Sequence, residues 1–378
     1  MFKSFKINLF LFGFKLIFIL FKLFPLQKKT TFVTDYGVNV TYVASQVDLQ
    51  TNEDIIILKS EDCLEEFDED RFRVIIFSSK KLVSYLKSIF HLATSRYIIV
   101  DSDFLFLAGT PLRPGAKCIQ LWHSTGSVKN FGYMRRTLPQ YNKVFDNMDY
   151  IVTGSPLMTQ FYKEAFNERE NDVFIKSGIP RTDFFFNDTH RAEIKKQLEK
   201  EFPLIKEKYV ILYAPTYREY ELDQFKFEEH LDKMHKELRS DYVIFLSLHP
   251  KDDMVYKNKY PGFIYNVTSY PNINEIAIVS DLLVTDYSSL LFEYALLHKP
   301  MIFYAFDLET FKKNRGLTID YENFVPGPVV KTNTELIKRI KENNFDLERV
   351  KDFSKQWNQY SAGHSSENLV NFLYFSKI

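Results

Sequence analysis

The stretch Asp281-Leu-Leu-Val-Thr-Asp286-Tyr287-Ser288-Ser289-Leu-Leu-Phe-Glu293-Tyr-Ala-Leu-Leu-His-Lys-Pro300 decides the fold. An apolar run ends in a hydroxyl-rich turn, the turn opens a helix-like segment, and Lys-Pro closes it. Free N–H groups and the positive dipole end at a helix start bind phosphate, and Ser288 and Ser289 add hydroxyl donors. The same serines suit an ordinary helix N-cap equally well, so the local sequence leaves both readings open. Glu293 lies one turn into the helix, placed to reach a ribose if a nucleotide occupies the turn, and Asp286 orients the turn.

Outward from this junction, short β-branched runs alternate with polar, helix-like stretches, the pattern of parallel sheets covered by helices. In the first half the runs are 54–58, 73–77, 97–101, 117–123, 150–154 and 173–178. In the second half they are 209–214, 242–248, 263–267, 281–285 and 301–304. The charged segment 190–208 reads as a helix and connector between the halves. At 378 residues the chain suits two domains. We therefore expect an α/β protein with two facing Rossmann-like domains, binding ligands at the carboxyl ends of the strands. The expected boundaries are 1–26 for an N-terminal helix, 27–188 and 189–345 for the two domains, and 346–378 for closing helices.

Composition narrows the function classes. Lys+Arg 49 balances Asp+Glu 49, which gives no electrostatic reason to expect nucleic-acid binding. Cys63 and Cys118 are far apart and lack metal-ligand spacing, so neither a structural zinc nor a disulfide is expected. The first 24 residues, MFKSFKINLFLFGFKLIFILFKLF, are rich in Phe, Leu and Ile but broken by lysines. At 100° per residue Ser4, Asn8, Lys15 and Lys22 share one narrow face, which favours an amphipathic helix lying in a membrane surface. A tilted anchor with snorkelling lysines and a helix buried against the first domain are the alternatives.

Several strand ends carry candidate chemistry. Arg218 follows the run 209–214 through Pro215 and Thr216, and a guanidinium binds a diphosphate bidentately, although a surface ion pair explains a lone arginine as well. His123 and His249 each end an apolar run. A single histidine of this kind is more often structural, and two at the strand ends of two domains strengthen a functional reading. The loop Ser124-Thr-Gly126-Ser-Val-Lys129-Asn-Phe-Gly132 allows close backbone approach to a substrate. Arg181 and Asp183 of Gly178-Ile-Pro180-Arg181-Thr-Asp183 read as structural. Arg315-Gly316-Leu-Thr-Ile-Asp320-Tyr and Val325-Pro-Gly-Pro328 read as a lid, with Arg315 a further phosphate candidate.

In their joint order WHSTG, GIPRTD, YAPTYR, LHP, TDYSS with FEYALLHKP and FYAFD, RGLTIDY and PGPVV, the motifs from Lys117 onward resemble the CDP-glycerol glycerophosphotransferase family of wall teichoic acid synthesis. The resemblance implies two glycosyltransferase-B-type domains. It implies His123 as catalytic base, with Arg218, His249, Ser288 and Ser289 on the donor phosphates and Glu293, Pro215 and Thr216 near the nucleotide and ribose. Ser124, Gly126 and Lys129 would belong to an acceptor loop. The family often has a lysine two residues before the LHP histidine, where this chain has Ser247.

The stretches Trp122-His123-Ser-Thr-Gly126 and Trp357-Asn-Gln-Tyr-Ser-Ala-Gly-His-Ser-Ser-Glu-Asn368 look more like the primases, whereas RGLTIDY followed by PGPVV resembles the polymerases. The implied reaction transfers glycerol phosphate from CDP-glycerol to an undecaprenyl-diphosphate-linked ManNAc-GlcNAc disaccharide and releases CMP. It would take place at the cytoplasmic face of the cell membrane, beside other teichoic acid synthesis enzymes. No obligatory cofactor is expected, since no carboxylate cluster suits Mg²⁺ and fixed cations can supply the charge. Ribitol phosphate transfer or polymerisation within the same architecture is the alternative enzyme reading. A membrane-tethered nucleotide-binding protein without turnover is the non-enzyme one.

Overall fold

The computed structural model describes residues 2–126, 128–134, 143–167, 170–216, 218, 227–248, 256–317 and 319–376. The chain forms two compact units. The first comprises Met1–Thr125, Phe131–Asp183 and Trp357–Ile378, and the second Gly126–Asn130 and Phe184–Gln356. The crossing thus falls at Asp183, slightly before the expected boundary. The closing helices also part company: most of Leu347–Trp357 stays with the second unit while Ser365–Tyr374 returns to the first.

Among the described residues of the first unit, seven parallel strands lie in the order β3-β2-β1-β4-β5-β6-β7. They are β1 Gln27–Thr34, β2 Asp54–Lys59, β3 Arg73–Ile76, β4 Ser95–Val100, β5 Lys117–Gln120, β6 Tyr150–Val152 and β7 Phe174–Ile175. Strand β1 is an interior strand, paired with β2 and β4, and the apolar-run pattern misses it because it opens Gln27-Lys-Lys-Thr-Thr. The Lys29 ammonium is nevertheless buried, donating to Thr94 Oγ1 (2.6 Å), Gln27 Oε1 (2.8 Å) and His91 Nδ1 (3.3 Å). Buried polar groups held in this way are compatible with a core strand.

Among its described residues the second unit has six parallel strands in the order β10-β9-β8-β11-β12-β13. They are β8 Tyr209–Ala214, β9 Tyr242–Leu246, β10 Ile264–Asn266, β11 Leu282–Thr285, β12 Met301–Tyr304 and β13 Val329–Val330. Counted within the unit this is the 3-2-1-4-5-6 order of a doubly wound sheet. The Pro-Gly-Pro segment expected as part of a lid instead feeds the edge strand β13. Phe303 N–H donates to the Pro328 carbonyl (2.9 Å), Val325 is buried, and a side chain at Gly327 would run into the Met301 carbonyl.

The N-terminal segment forms one helix, Phe2–Phe21, and among the described residues no helix is long and apolar enough to cross a membrane. One face docks on the first unit. Ile7, Phe14 and Phe18 are buried, Phe14 stacks on Phe106 (5.3 Å) and Phe21 meets Phe90 edge-on (5.5 Å). Phe5, Leu9, Phe12, Leu16, Leu20 and Leu23 are exposed. The spacing of three and four residues aligns them in one apolar stripe.

Candidate functional site

Ligands of doubly wound sheets bind where the strand order reverses, which here is between β1 and β4 in one unit and between β8 and β11 in the other. Each switch point carries a buried aspartate directly after the fourth strand. Asp101 follows β4 and Asp286 follows β11, and each reaches across to the turn after the unit's first strand.

In the first unit the N–H groups of Asp35 (3.1 Å), Tyr36 (3.3 Å) and Gly37 (3.1 Å) donate to the Asp101 carboxylate, as does the Thr34 hydroxyl. Burial raises the Asp101 pKa to about 6 against the opposing pull of these donors. Gly37 adopts φ 85, and a side chain there would collide with Glu65. The main-chain oxygen of Asp101 serves a second partner, His123 Nδ1, at 3.1 Å. A carbonyl only accepts, so Nδ1 carries a proton, and when the ring is neutral its lone pair is on Nε2. That is the tautomer a general base needs.

The His123 ring lies between two aromatic rings, Tyr36 at 4.2 Å and 15° and Trp122 at 4.4 Å and 31°. Trp122 has φ 58, a left-handed conformation strained for so bulky a residue. Its surroundings hold it there. Asn39 Nδ2 donates to the Trp122 carbonyl (2.8 Å), and Asn39 Oδ1 accepts the Arg181 N–H (3.0 Å). The Arg181 guanidinium donates to the His123 carbonyl (2.9 Å) and to Thr125 Oγ1 (3.4 Å). Arg181 and Asp183 therefore serve different partners, since Asp183 accepts the N–H groups of Ser365 (2.7 Å) and Ser366 (2.8 Å) and the Ser366 hydroxyl (2.8 Å).

The loop after His123 divides. The Ser124 carbonyl accepts the Tyr162 hydroxyl (2.9 Å) in the first unit. Gly126 belongs to the second, where its α-carbon is pressed on the Phe292 ring so that a Cβ would lie 2.7 Å from it. Lys129 forms an antiparallel bridge with Leu317, immediately after Arg315 and Gly316. Arg315, half-buried, ends the helix Leu308–Arg315.

In the second unit the Asp286 carboxylate accepts the N–H groups of Thr216 (2.9 Å) and Tyr287 (2.6 Å), and its carbonyl accepts the Tyr321 hydroxyl (2.8 Å). Arg218 is placed differently from the open phosphate clamp that its motif suggests. Its side chain is only 8% exposed and is held by Asp286 through Nη2 (2.8 Å) and by Asp307 through Nε (2.8 Å) and Nη2 (3.0 Å), while Nη1 donates to the Thr216 carbonyl. The guanidinium also lies over the Tyr287 ring at 5.0 Å, and Tyr287 donates its hydroxyl to Asp307 (3.1 Å). Burial and then the partner carboxylates act on Arg218 in opposite senses, and the carboxylates hold it charged. The brace ties together the ends of β8, β11 and β12.

At the junction itself, Ser288 and Ser289 are half-buried, and the Ser288 hydroxyl accepts the Leu290 N–H (3.2 Å), a capping contact. The helix they open is short, Leu290–Tyr294 followed by a 3₁₀ turn at Ala295–Leu297, so its dipole is correspondingly small. Glu293 is buried within it. Pro215 and Thr216 are half-buried, and among the described residues Thr216 Oγ1 has no hydrogen-bond partner. His249 lies outside the described residues. Sequence reasoning assigned no role to Tyr36, Asn39, Asp101, Asp307 or Tyr321. One signal was available, because Val-Thr-Asp-Tyr occurs twice, at 33–36 and 284–287, each time at a switch-point turn.

Comparison with known proteins accords with this arrangement. Residues 27–374 match the family model described as CDP-Glycerol:Poly(glycerophosphate) glycerophosphotransferase. The teichoic acid poly(ribitol-phosphate) polymerase of Bacillus spizizenii is 34% identical over 98% of this chain, which spans 60% of that protein's length. The teichoic acid glycerol-phosphate primase of Bacillus subtilis is 33% identical over 79% of this chain and 78% of its own. Among solved structures, the wall teichoic acid polymerase TagF (H444N variant with CDPG) superposes with a TM-score of 0.80 at 21% identity, covering 98% of this chain and 97% of that one, a likeness of fold. On the extent of the family match, together with these relatives, the chain belongs to the CDP-glycerol:poly(glycerophosphate) glycerophosphotransferase family.

Proposed function

We propose that this chain transfers glycerol phosphate from CDP-glycerol to an undecaprenyl-diphosphate-linked disaccharide, releasing CMP, as the priming step of wall teichoic acid synthesis. The observation that carries the chemistry is the hydrogen bond from His123 Nδ1 to the Asp101 carbonyl, which assigns the proton of the neutral ring to Nδ1 and its lone pair to Nε2. In this reading His123 removes the acceptor hydroxyl proton as that oxygen attacks the glycerol-bearing phosphorus, and CMP leaves with the electrons of the broken P–O bond. General-base action of this kind is worth about 10² to 10⁴-fold.

The donor phosphates are assigned to the junction Asp286–Ser289, with His249 and Arg315 as further cations and Thr216, Pro215 and Glu293 toward the nucleotide. Arg218 contributes by holding the junction in shape. Ser124, Gly126 and Lys129 form the path toward the acceptor. The two units correspond to the halves of a glycosyltransferase-B-type enzyme, and the reaction runs without an obligatory metal, so a chelator leaves turnover unchanged. The apolar stripe of the N-terminal helix, with Lys6 and Lys15 exposed beside it, suits the surface of a bilayer with anionic lipids at the cytoplasmic face. Replacing Phe12 and Leu16 by glutamate should abolish co-flotation with such vesicles, and retained flotation would remove the assignment.

The test of the reaction is incubation of the full chain with labelled CDP-glycerol and the lipid-linked disaccharide, counting the glycerol phosphates added. One unit per acceptor supports the priming reading, and long chains support polymerisation. The 34% identity to a poly(ribitol-phosphate) polymerase favours a second reading, transfer of ribitol phosphate, which competition between CDP-ribitol and CDP-glycerol separates from the first. Absence of CMP release with either donor would leave a nucleotide-binding protein without turnover.

A further inference from the structure

The ring that covers His123 is Tyr36, which is 48% exposed although one face lies on the imidazole at 4.2 Å and 15°. A large aromatic side chain half in solvent contributes little to the core, so its burial alone does not explain why it is held there. Its position is nevertheless built. The Tyr36 N–H, with those of Asp35 and Gly37, is bound to the Asp101 carboxylate, while the carbonyl of the same Asp101 accepts from His123 Nδ1. One buried residue thus sets the register of both rings. The opposite face of the imidazole is taken by Trp122, whose left-handed backbone is fixed through Asn39.

The hydrogen bond at Nδ1 fixes one atom of the imidazole but not the plane of the ring, and a turn of that plane moves Nε2. The stacked Tyr36 ring on one face and the tilted Trp122 ring on the other restrict that turn. We propose that Tyr36 is a positioning residue for His123, clamping the imidazole against Trp122 so that Nδ1 stays on the Asp101 carbonyl and Nε2 is presented to the acceptor hydroxyl. The inference rests on the reading of His123 as general base. The stacked face is what matters, so the Tyr36 hydroxyl is dispensable.

The experiment compares Tyr36→Phe, Tyr36→Ala and His123→Ala in the full chain, following turnover with labelled CDP-glycerol and lipid-linked disaccharide, donor affinity by calorimetry, and the His123 ring by nitrogen-15 NMR. Tyr36→Ala should lower kcat about tenfold to a hundredfold, as expected for a displaced base, with donor affinity within about twofold of the parent. Its His123 resonances should shift from a single Nδ1–H tautomer toward a mixture. Tyr36→Phe should restore both turnover and the single tautomer. If Tyr36→Ala keeps the parental kcat and tautomer while His123→Ala loses turnover, the positioning role is wrong and the base assignment stands. If His123→Ala turns over normally, the base assignment fails and the catalytic part of the inference fails with it. A Tyr36→Phe variant as impaired as Tyr36→Ala would overturn the stacking argument in favour of the hydroxyl.

Discussion

Replacing Arg218 by alanine separates a structural brace from a phosphate clamp. In the structure the guanidinium is the cation between two buried carboxylates, Asp286 and Asp307, whose side chains are only 2% and 5% exposed. The substitution removes three carboxylate hydrogen bonds of 2.8, 2.8 and 3.0 Å together with the one to the Thr216 carbonyl, and leaves two neighbouring negative charges out of water. These losses belong to one network and do not add, so the relevant figure is that for breaking a buried ion pair, about 3–5 kcal/mol. For a unit of this size each kcal/mol lowers Tm by about 2–4 °C, giving a fall of roughly 6–20 °C. The assay is thermal and denaturant unfolding of the full chain without ligand.

Two companions sharpen it. Arg218→Lys should recover little, because an ammonium cannot fork between two carboxylates and a carbonyl. Adding Asp286→Asn and Asp307→Asn to Arg218→Met should recover much of the loss, because no unpaired charge is left buried. If Arg218→Ala melts like the parent and loses only CDP-glycerol affinity, the brace is unimportant and the guanidinium is a phosphate ligand after all.

Lys29 should produce an alkaline signature. Burial lowers its pKa to about 8 from 10.5, so the unfolded chain holds the proton more tightly than the fold does, and stability should climb as pH rises from about 8 toward 10.5. Lys29→Met should abolish that rise and be no less stable than the parent at pH 7, a comparison made by denaturant midpoints across the pH series. Asp183→Ala should release the start of the helix Ser365–Tyr374, which depends on this carboxylate for two N–H acceptors and one hydroxyl contact. The expected cost is about 1–2 kcal/mol, read as faster amide exchange confined to that helix, and unchanged protection there would remove the capping role.

What the sequence disclosed and what it concealed follow one physical division. Strands built from Ile, Val and Leu were legible, and so was the alternation that makes a parallel sheet. The interior strand β1 was not, because a buried lysine looks like surface until its partners Gln27, His91 and Thr94 are brought to it. The motif residues were legible as a set, but their partners lay elsewhere in the chain. Arg218 reads as a free cation in Tyr-Ala-Pro-Thr-Tyr-Arg, and only folding brings Asp307, 89 residues away, onto it. The same holds for His123 and Tyr36. Nothing within reach of Trp122-His123 in the sequence announces that a tyrosine from the first turn of the unit will lie on the imidazole.

The two switch points show why those partners recur. A doubly wound sheet leaves a crevice where its strand order reverses, and the exposed N–H groups of the turn after the first strand need an acceptor there. Both units meet the need from the same direction, with an aspartate ending the fourth strand. At Asp101 the carboxylate is occupied by three N–H groups and a hydroxyl, and its spare carbonyl aligns a histidine. At Asp286 it is shared between one turn N–H, its neighbour's N–H and an arginine, and its spare carbonyl holds a tyrosine that opens a later short helix, Tyr321–Phe324. One wiring rule yields two different outputs because different side chains hang from it. In the first unit the aspartate positions a group able to take a proton. In the second it rigidifies the turn that carries Ser288 and Ser289. The aspartates therefore act through the groups they hold, and substituting either by asparagine, which keeps one acceptor oxygen and loses the charge, should disturb its own switch point and leave the strands around it folded.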